Sequence, residues 1–234
     1  PSCAKEDFYF NYSEYNPKFT FKAKDPLSAL SHFIGFLCSI VLSPVLLIHL
    51  SNKGASHIEM ISLGIFMLSM ILLYGASASY HSFNISEKAN RVLKKLDHMS
   101  IFILIAGSYT PLCVMILPKP IGIHLLIIVW TIALLGMLFK FFWVTCPKWI
   151  SSVMYIAMGW ACIFRIPQLY DGLGVHGFMW LLAGGLFYTI GGVIYSMRLN
   201  ITPKNNKGFG NHELFHLFVL AGSLCHYIVM FCFL

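Results

Sequence analysis

The chain has 234 residues, of which 58% are hydrophobic, 15% are aromatic and only 11% are charged. Disordered chains combine low hydrophobicity with high charge, so this composition excludes disorder. A soluble domain carries roughly a quarter charged residues, and the mean hydropathy of this chain is +0.74. The composition therefore predicts a polytopic membrane protein.

Seven apolar runs follow one another along the chain, and each has the length of a membrane-spanning helix, about 20 residues. The runs lack strand alternation and exceed the length of barrel strands, about 10 residues. We therefore predict an all-α bundle of seven transmembrane helices at residues 27–234, preceded by an amphipathic cytoplasmic segment at residues 1–26. The helices are predicted at 27–50, 58–80, 99–117, 121–142, 149–167, 176–197 and 214–234.

The basic residues lie unevenly on the two sides of this predicted bundle. Thirteen of the 16 lysines and arginines fall on the side of the N-terminus, and only Lys53, Lys119 and Arg165 fall on the other side. Cytoplasmic loops of membrane proteins collect Lys and Arg. The pattern predicts a multi-pass protein of the plasma membrane with a cytoplasmic N-terminus and an outside C-terminus. It also explains the net charge of +7 without nucleic acid as a partner.

Polar residues that could hold a metal occur at three helix ends on the predicted cytoplasmic side. His81 closes the second run, Asp97 opens the third, and His212 and His216 open the seventh. His212 and His216 are four residues apart and so project from one helical face, a common arrangement for zinc. Three histidines with one open position match the ligand count of a catalytic zinc site.

Two further residues could take part in the chemistry at this predicted metal site. Asp97 could orient a water molecule or act as the general base, and zinc would polarise a substrate carbonyl. Ser77 lies one helical turn from His81 on the same face. A structural reading of Asp97 stays open, because Asp is also favoured as the N-cap of a helix.

Two other histidines lie in the apolar runs. For His32, near the inner end of the first run, we favour hydrogen bonding between helices over a place in the same cavity. His226 lies ten residues after His216, which is roughly 15 Å along a helix. That separation is too large for His226 to share a metal ion with His216.

Segments of the chain resemble a known family at these residues. They include the stretches LSHFIG at 30–35, SASYH at 77–81, LDHMSIFILIAGSYTP at 96–111 and HELFH at 212–216. In this combination the chain resembles the haemolysin III family, the bacterial-type branch of the progestin and adiponectin receptor superfamily. The resemblance extends over nearly the whole chain.

The resemblance implies a seven-helix bundle with zinc near the cytoplasmic face. By position, His81, His212 and His216 correspond to the family's zinc ligands, Asp97 to the acid that holds the water at the zinc, and Ser77 to the serine of the second helix. Eukaryotic relatives are receptors associated with lipid-amide hydrolase (ceramidase) activity, and bacterial relatives are linked to membrane fluidity and energetics. The N-terminal tail is shorter than those of the receptors, which argues against hormone binding.

Three classes of function fit these features. The first is a zinc-dependent hydrolase that acts on a lipid amide or ester, with membrane lipids as partners and the lipid substrate inside the bundle. The second is a non-enzymatic membrane-state sensor or receptor with structural zinc. The third is a pore-forming haemolysin or a proton-linked transporter, which the sequence favours least because no row of charged residues crosses the middle of a helix. Neither the substrate nor the oligomeric state follows from the sequence.

Overall fold

The computed structural model describes residues 23–197 and 209–234. Most of the segment predicted at 1–26 therefore lies outside the described residues. Within those two ranges the secondary structure is entirely helical, with no strand. The elements are α1 (Pro26–Asn52), α2 (His57–Ser82), α3 (Glu87–Pro111), a π-helical turn (Leu112–Ile116), α4 (Lys119–Phe142), α5 (Lys148–Gly159), a 3-10 turn (Ala161–Arg165), α6 (Ile166–Ser196) and α7 (Asn211–Cys232).

Six segments of the described chain are long and apolar enough to cross a membrane. Five of them are α1, α2, α3 with its π-helical turn, α4 and α7, and the sixth is the 49-residue stretch Lys148–Ser196 that contains α5 and α6. Large apolar side chains on the outside of the bundle, such as Val41 and Ile48, are exposed, as lipid-facing residues are. The prediction of an all-α, multi-pass membrane protein is confirmed.

Helix α3 begins at Glu87, twelve residues before the predicted start at 99. Ser86 caps it, because its side chain accepts a hydrogen bond from the Ala89 amide at 3.2 Å, and Glu87 places a negative charge in the first turn. The charged stretch after α2 is therefore mostly helical. Asp97 lies well inside α3, so the alternative interpretation of Asp97 as a helix N-cap is wrong.

The stretch between the predicted fifth and sixth helices is also organised differently. Helix α5 ends at Gly159, and Pro167 stands in the first turn of α6 rather than at the end of α5. Proline fits a first helical turn because the amide it lacks would have no partner there. The helical conformation is interrupted instead at Gly174, whose φ of 65° and ψ of 174° are non-helical. Of residues 168–175, which separate the predicted fifth and sixth helices, only Gly174 departs from helical geometry, with a left-handed φ.

The helices pack around a core of large apolar side chains, including Phe66, Tyr74, Phe102 and Met230. Close approach of α2 and α3 depends on Gly107, where an added Cβ would lie 2.3 Å from the Ser69 hydroxyl oxygen. Small residues are the usual means by which membrane helices come close together. Helix α7 packs against both α6 and α1, which brings its first turn beside the start of α1.

One lysine at the predicted cytoplasmic side is not a surface charge. The side chain of Lys140 is fully buried, and its ammonium donates hydrogen bonds to Cys146 Sγ, at 3.1 Å, and to Ser151 Oγ. Cys146 belongs to the connection between α4 and α5, and Ser151 to α5 itself. Lys140 therefore fastens this connection to the bundle.

Candidate metal centre and cavity

The candidate metal centre lies where the C-terminal end of α2 meets the N-terminal ends of α1 and α7. The Asp25 amide, immediately before α1, donates a hydrogen bond to the His81 carbonyl at 2.9 Å and so ties the start of α1 to the end of α2. The start of α7 is held by Glu213, whose carboxylate accepts from the Gly210 amide at 2.8 Å and from Ser28 Oγ at 2.9 Å. These contacts place His212, in the first turn of α7, against His81.

Three histidines, His81, His212 and His216, come together at this point. One ring nitrogen from each lies within 4.8 Å of the others. The Nε2 atoms of His81 and His212 are 3.1 Å apart, and the ring centroids of His212 and His216 are 4.5 Å apart. His81 and His216 are each only 2% exposed. The structure therefore brings together all three histidines that the sequence predicted as metal ligands.

This arrangement fits a tetrahedral metal ion. Zinc–nitrogen bonds of about 2.0–2.1 Å at tetrahedral angles place two ligand nitrogens about 3.3 Å apart, close to the His81–His212 spacing of 3.1 Å. Imidazole is a ligand that zinc accepts readily. The described chain offers three such ligands here, and a catalytic zinc site keeps a fourth position for water or substrate.

The sequence did not predict the role of Asp25. Its Oδ2 lies 2.9 Å from His81 Nδ1, so the His81 ring directs its other nitrogen, Nε2, toward His212. A carboxylate on the second nitrogen of a histidine is the usual way to orient a metal ligand. Asp25 stands at the N-cap position of α1, yet its side chain makes no capping hydrogen bond. In the sequence, an Asp before Pro26 reads as an ordinary N-cap, which hides this contact.

The ring of His32 stacks on that of His216, with centroids 3.7 Å apart and an angle of 11° between the planes. His32 is 2% exposed and also lines the cavity beside the histidines. The predicted hydrogen bonding between helices is wrong, because within the described chain neither ring nitrogen of His32 has a hydrogen-bond partner of ordinary geometry. His32 supports the His216 ring from the side of α1.

Asp97 and Ser77 lie in the wall of the cavity that His212 and His216 also line. Both side chains are buried. Asp97 Oδ2 is 3.4 Å from His98 Nδ1, while that nitrogen also lies 2.9 Å from the Lys94 carbonyl. His98 thus keeps the carboxylate next to a polar group inside an otherwise apolar bundle. A buried carboxylate and a hydroxyl facing a cavity beside three imidazoles can bind and polarise a substrate.

The cavity provides about 120 Å³ of room and extends from the histidines into the centre of the bundle. A single water needs roughly 10–15 Å³ by the same measure, so the cavity can hold much more than one water. Side chains of α1, α2, α3, α5, α6 and α7 line it, and most of its surface is apolar. Apolar walls with a few polar groups at one end are suited to an amphiphilic molecule.

Comparison with known proteins agrees with these features. Residues 21–227 match the family model described as Haemolysin-III related. The chain is 37% identical over 212 residues to Hemolysin-3 of Bacillus cereus, covering 91% of each chain. It is also 37% identical over 216 residues to a Hemolysin-3 homolog of Bacillus subtilis (strain 168), covering 92% of this chain and 96% of that one.

More distant similarity reaches the eukaryotic receptors. The chain is 25% identical over 186 residues to the adiponectin receptor protein of Drosophila melanogaster, covering 72% of this chain and 41% of the receptor. The family match spans α1 to α7, including His81, Asp97, His212 and His216. The chain belongs to the haemolysin III-related family of membrane proteins, within the wider adiponectin receptor superfamily.

Proposed function

We propose that the protein is a zinc-dependent hydrolase that cleaves an amide or ester of a membrane lipid. One observation carries this proposal: three imidazole nitrogens within 4.8 Å of one another stand at the end of an apolar cavity that a buried carboxylate, Asp97, also lines. A purely structural metal site would not need an adjoining cavity with a buried acid in its wall.

In this proposal each polar residue of the site has one task. His81, His212 and His216 would hold zinc, and Asp25 and His32 would keep the rings of His81 and His216 in place. When bound, zinc supplies a Lewis acid that polarises a carbonyl and lowers the pKa of water. Asp97 would accept a proton from the attacking water at its carboxylate and return it to the leaving amine or alcohol.

Ser77 and the cavity walls would position the lipid. The Ser77 hydroxyl, in the same wall as Asp97, would donate a hydrogen bond to an oxygen of the substrate headgroup. The apolar side chains deeper in the cavity would bind the hydrocarbon chain and exclude water from it. This division of tasks matches a substrate that enters from the bilayer with its polar end toward the histidines.

The membrane topology is part of the same proposal. We propose seven crossings, with the break at Gly174 separating the fifth from the sixth. The basic residues Lys24, Lys88, Lys94 and Lys148 belong to the end of the bundle that holds the histidines, and this distribution supports a cytoplasmic location for that end. The site would then act on lipids of the inner leaflet of the plasma membrane, and its role would be to maintain membrane fluidity or energetics.

The domain organisation and partners follow from this topology. Residues 27–234 would form the transmembrane domain, and residues 1–26 a cytoplasmic surface segment. Membrane lipids are the proposed partners, and no role for nucleic acid is proposed.

Paired measurements of metal content and turnover test the proposal. Full-length protein purified in detergent should contain zinc and release fatty acid from a panel of lipid amides and esters. His212→Ala and His216→Ala should lose both the zinc and the turnover. His176→Ala is the matched control, because His176 is exposed on α6 and does not belong to the cluster. Loss of zinc with turnover intact would contradict the proposal.

A specific observation also supports a second candidate, a membrane-state sensor with structural zinc. The histidine cluster joins α2 to α7, and Asp25 connects α1 to it, so a metal ion would fasten three helices together. A protein with full zinc content and an intact bundle but no turnover of any lipid in the panel would favour the sensor over the hydrolase.

A further inference from the structure

The deep end of the cavity contains a histidine that the proposed reaction does not use. His226, on α7, is 8% exposed and lines the main cavity together with His216. It also lines a second cavity of about 70 Å³. The two cavities share Ser108, Tyr109, Gly159, Trp160 and Gly185 as well as His226. His226 therefore stands where the two cavities meet, about 15 Å along α7 from His216.

The two nitrogens of the buried His226 ring lack hydrogen-bond partners among the described residues. Within the described chain, neither its Nδ1 nor its Nε2 has a hydrogen-bond partner of ordinary geometry. The Leu181 carbonyl is the backbone acceptor that faces the ring, and a carbonyl can satisfy only an N–H. A neutral imidazole has one donor nitrogen and one acceptor nitrogen. The acceptor nitrogen would still lack a donor, and a buried unsatisfied polar atom is costly.

The hydroxyl groups nearby do not supply this donor. Ser108, Tyr109 and Thr189 donate their protons to the backbone carbonyls of Ile105, Gly159 and Gly185 respectively. The hydroxyl of Tyr188, whose ring packs edge-on against His226 at a centroid distance of 5.3 Å, is 2.8 Å from Ser223 Oγ and engaged with it. The protein therefore presents an acceptor to this part of the cavity and leaves its donor to come from elsewhere.

Two neighbouring glycines of α6 make room at this position. A Cβ on Gly184 would lie 2.3 Å from the His226 ring, so only glycine allows the ring its place. A Cβ on Gly185, in contrast, would meet no atom within 4 Å, although Gly185 lines both cavities. The space beside His226 is thus open rather than filled by packing. Beyond it, Leu169, Phe178 and Leu182 line the second cavity with apolar side chains.

We propose that His226 is a second polar binding point for the lipid, which accepts a hydrogen bond from a hydroxyl group on the hydrocarbon chain. The polar end of the lipid would lie at the histidine cluster, its chain hydroxyl at His226, and the rest of the chain in the second cavity. The favoured ligands are therefore amphiphiles with a hydroxylated chain. This inference rests on the proposed function only for the premise that the cavity receives a lipid.

Ricinoleic and oleic acid form a matched pair of probes, because they differ only by one mid-chain hydroxyl. Each is measured by its displacement of a fluorescent fatty acid from full-length protein purified in detergent. The wild-type protein should bind ricinoleic acid about fivefold more tightly, the effect of one net hydrogen bond. An oleic acid analogue with its hydroxyl next to the carboxyl group should show no such gain.

Variants at His226 and Gly185 assign the effect to this position. His226→Phe should bind both acids with equal affinity, whereas His226→Gln, which keeps an acceptor, should retain part of the preference. His57→Phe, at an exposed histidine at the start of α2, is the control and should behave as the wild type. Gly185→Val should weaken both acids, since its side chain would occupy the space where the cavities meet.

The outcomes separate this inference from the proposed hydrolase. Equal wild-type affinities for the two acids, or a preference that survives in His226→Phe, would overturn the second binding point and leave water only as the partner of His226. Failure of both acids to bind, or of ricinoleic acid alone, would overturn it as well. A clear preference that depends on His226, in a protein that hydrolyses no lipid, would support the binding point and contradict only the hydrolase.

Discussion

His81 Nδ1 is hydrogen-bonded to Asp25 Oδ2 at 2.9 Å, and the opposite nitrogen of the same ring lies 3.1 Å from His212 Nε2. The carboxylate fixes the tautomer in which His81 Nδ1 carries the proton, which leaves the Nε2 lone pair available for a metal ion. Asp25 is thus positioned to control the metal affinity of the site although it would not touch the metal itself.

Asp25→Ala should lower the zinc affinity about 10- to 100-fold, the usual effect of removing such an outer partner. The Asp25 amide still donates to the His81 carbonyl in this variant, so α1 stays attached to α2. Competition with a zinc chelator measures the affinity. Asp171→Ala, at an exposed position, is the matched control. An unchanged affinity in Asp25→Ala would show that the His81 ring is oriented without this contact.

Two helical glycines should respond in opposite ways to alanine. In Gly122→Ala the new Cβ would fall 2.0 Å from the Cys113 carbonyl oxygen, a backbone atom that cannot move aside. We expect the free energy of unfolding to fall by about 1–3 kcal/mol. In Gly64→Ala the Cβ meets nothing within 4 Å, so stability should be unchanged or raised by up to about 1 kcal/mol. Thermal unfolding in detergent compares the two, and equal shifts would contradict the packing of α4 on the π-helical turn.

Lys140 should be needed for stability rather than for membrane orientation. Lys140→Ala removes the donor to Cys146 Sγ and Ser151 Oγ and leaves a void at a fully buried site. The expected loss is about 2–4 kcal/mol. Lys140→Met, which fills the space without the charge, should be milder. Lys88→Ala, at an exposed position, serves as the control in the same unfolding measurement. Equal stability of Lys140→Ala and Lys88→Ala would contradict the buried role.

The helices could be predicted from the sequence because apolar runs of this length have few other structures available in a membrane. The histidine cluster could also be predicted, because His212 and His216 share a helical face and helix ends on one side of a bundle lie at one depth. The start of α3 was harder to predict, because an N-cap at Ser86 and good helix formers extend the helix beyond its apolar part. Hydropathy marks the part of a helix that lies in lipid and not its end.

The contacts around the metal centre could not be predicted in the same way. The bond from Asp25 to His81 joins residues 56 positions apart, and the stacking of His32 on His216 depends on how α1 meets α7. The burial of Lys140 depends on a turn that folds Cys146 back onto it. Each is a product of helix packing, which spacing along the chain does not encode locally. The cavity also arises only between helices.

The role of Asp97 as the general base is tested by the turnover of lipid amides and esters by Asp97→Asn, with its zinc content measured in the same sample. Asn keeps the shape of the side chain but removes the carboxylate that would accept the proton. We expect wild-type zinc content and a fall in turnover of about 10²- to 10⁴-fold, the contribution of a general base. Undiminished turnover in Asp97→Asn at full zinc content would contradict the proposed reaction.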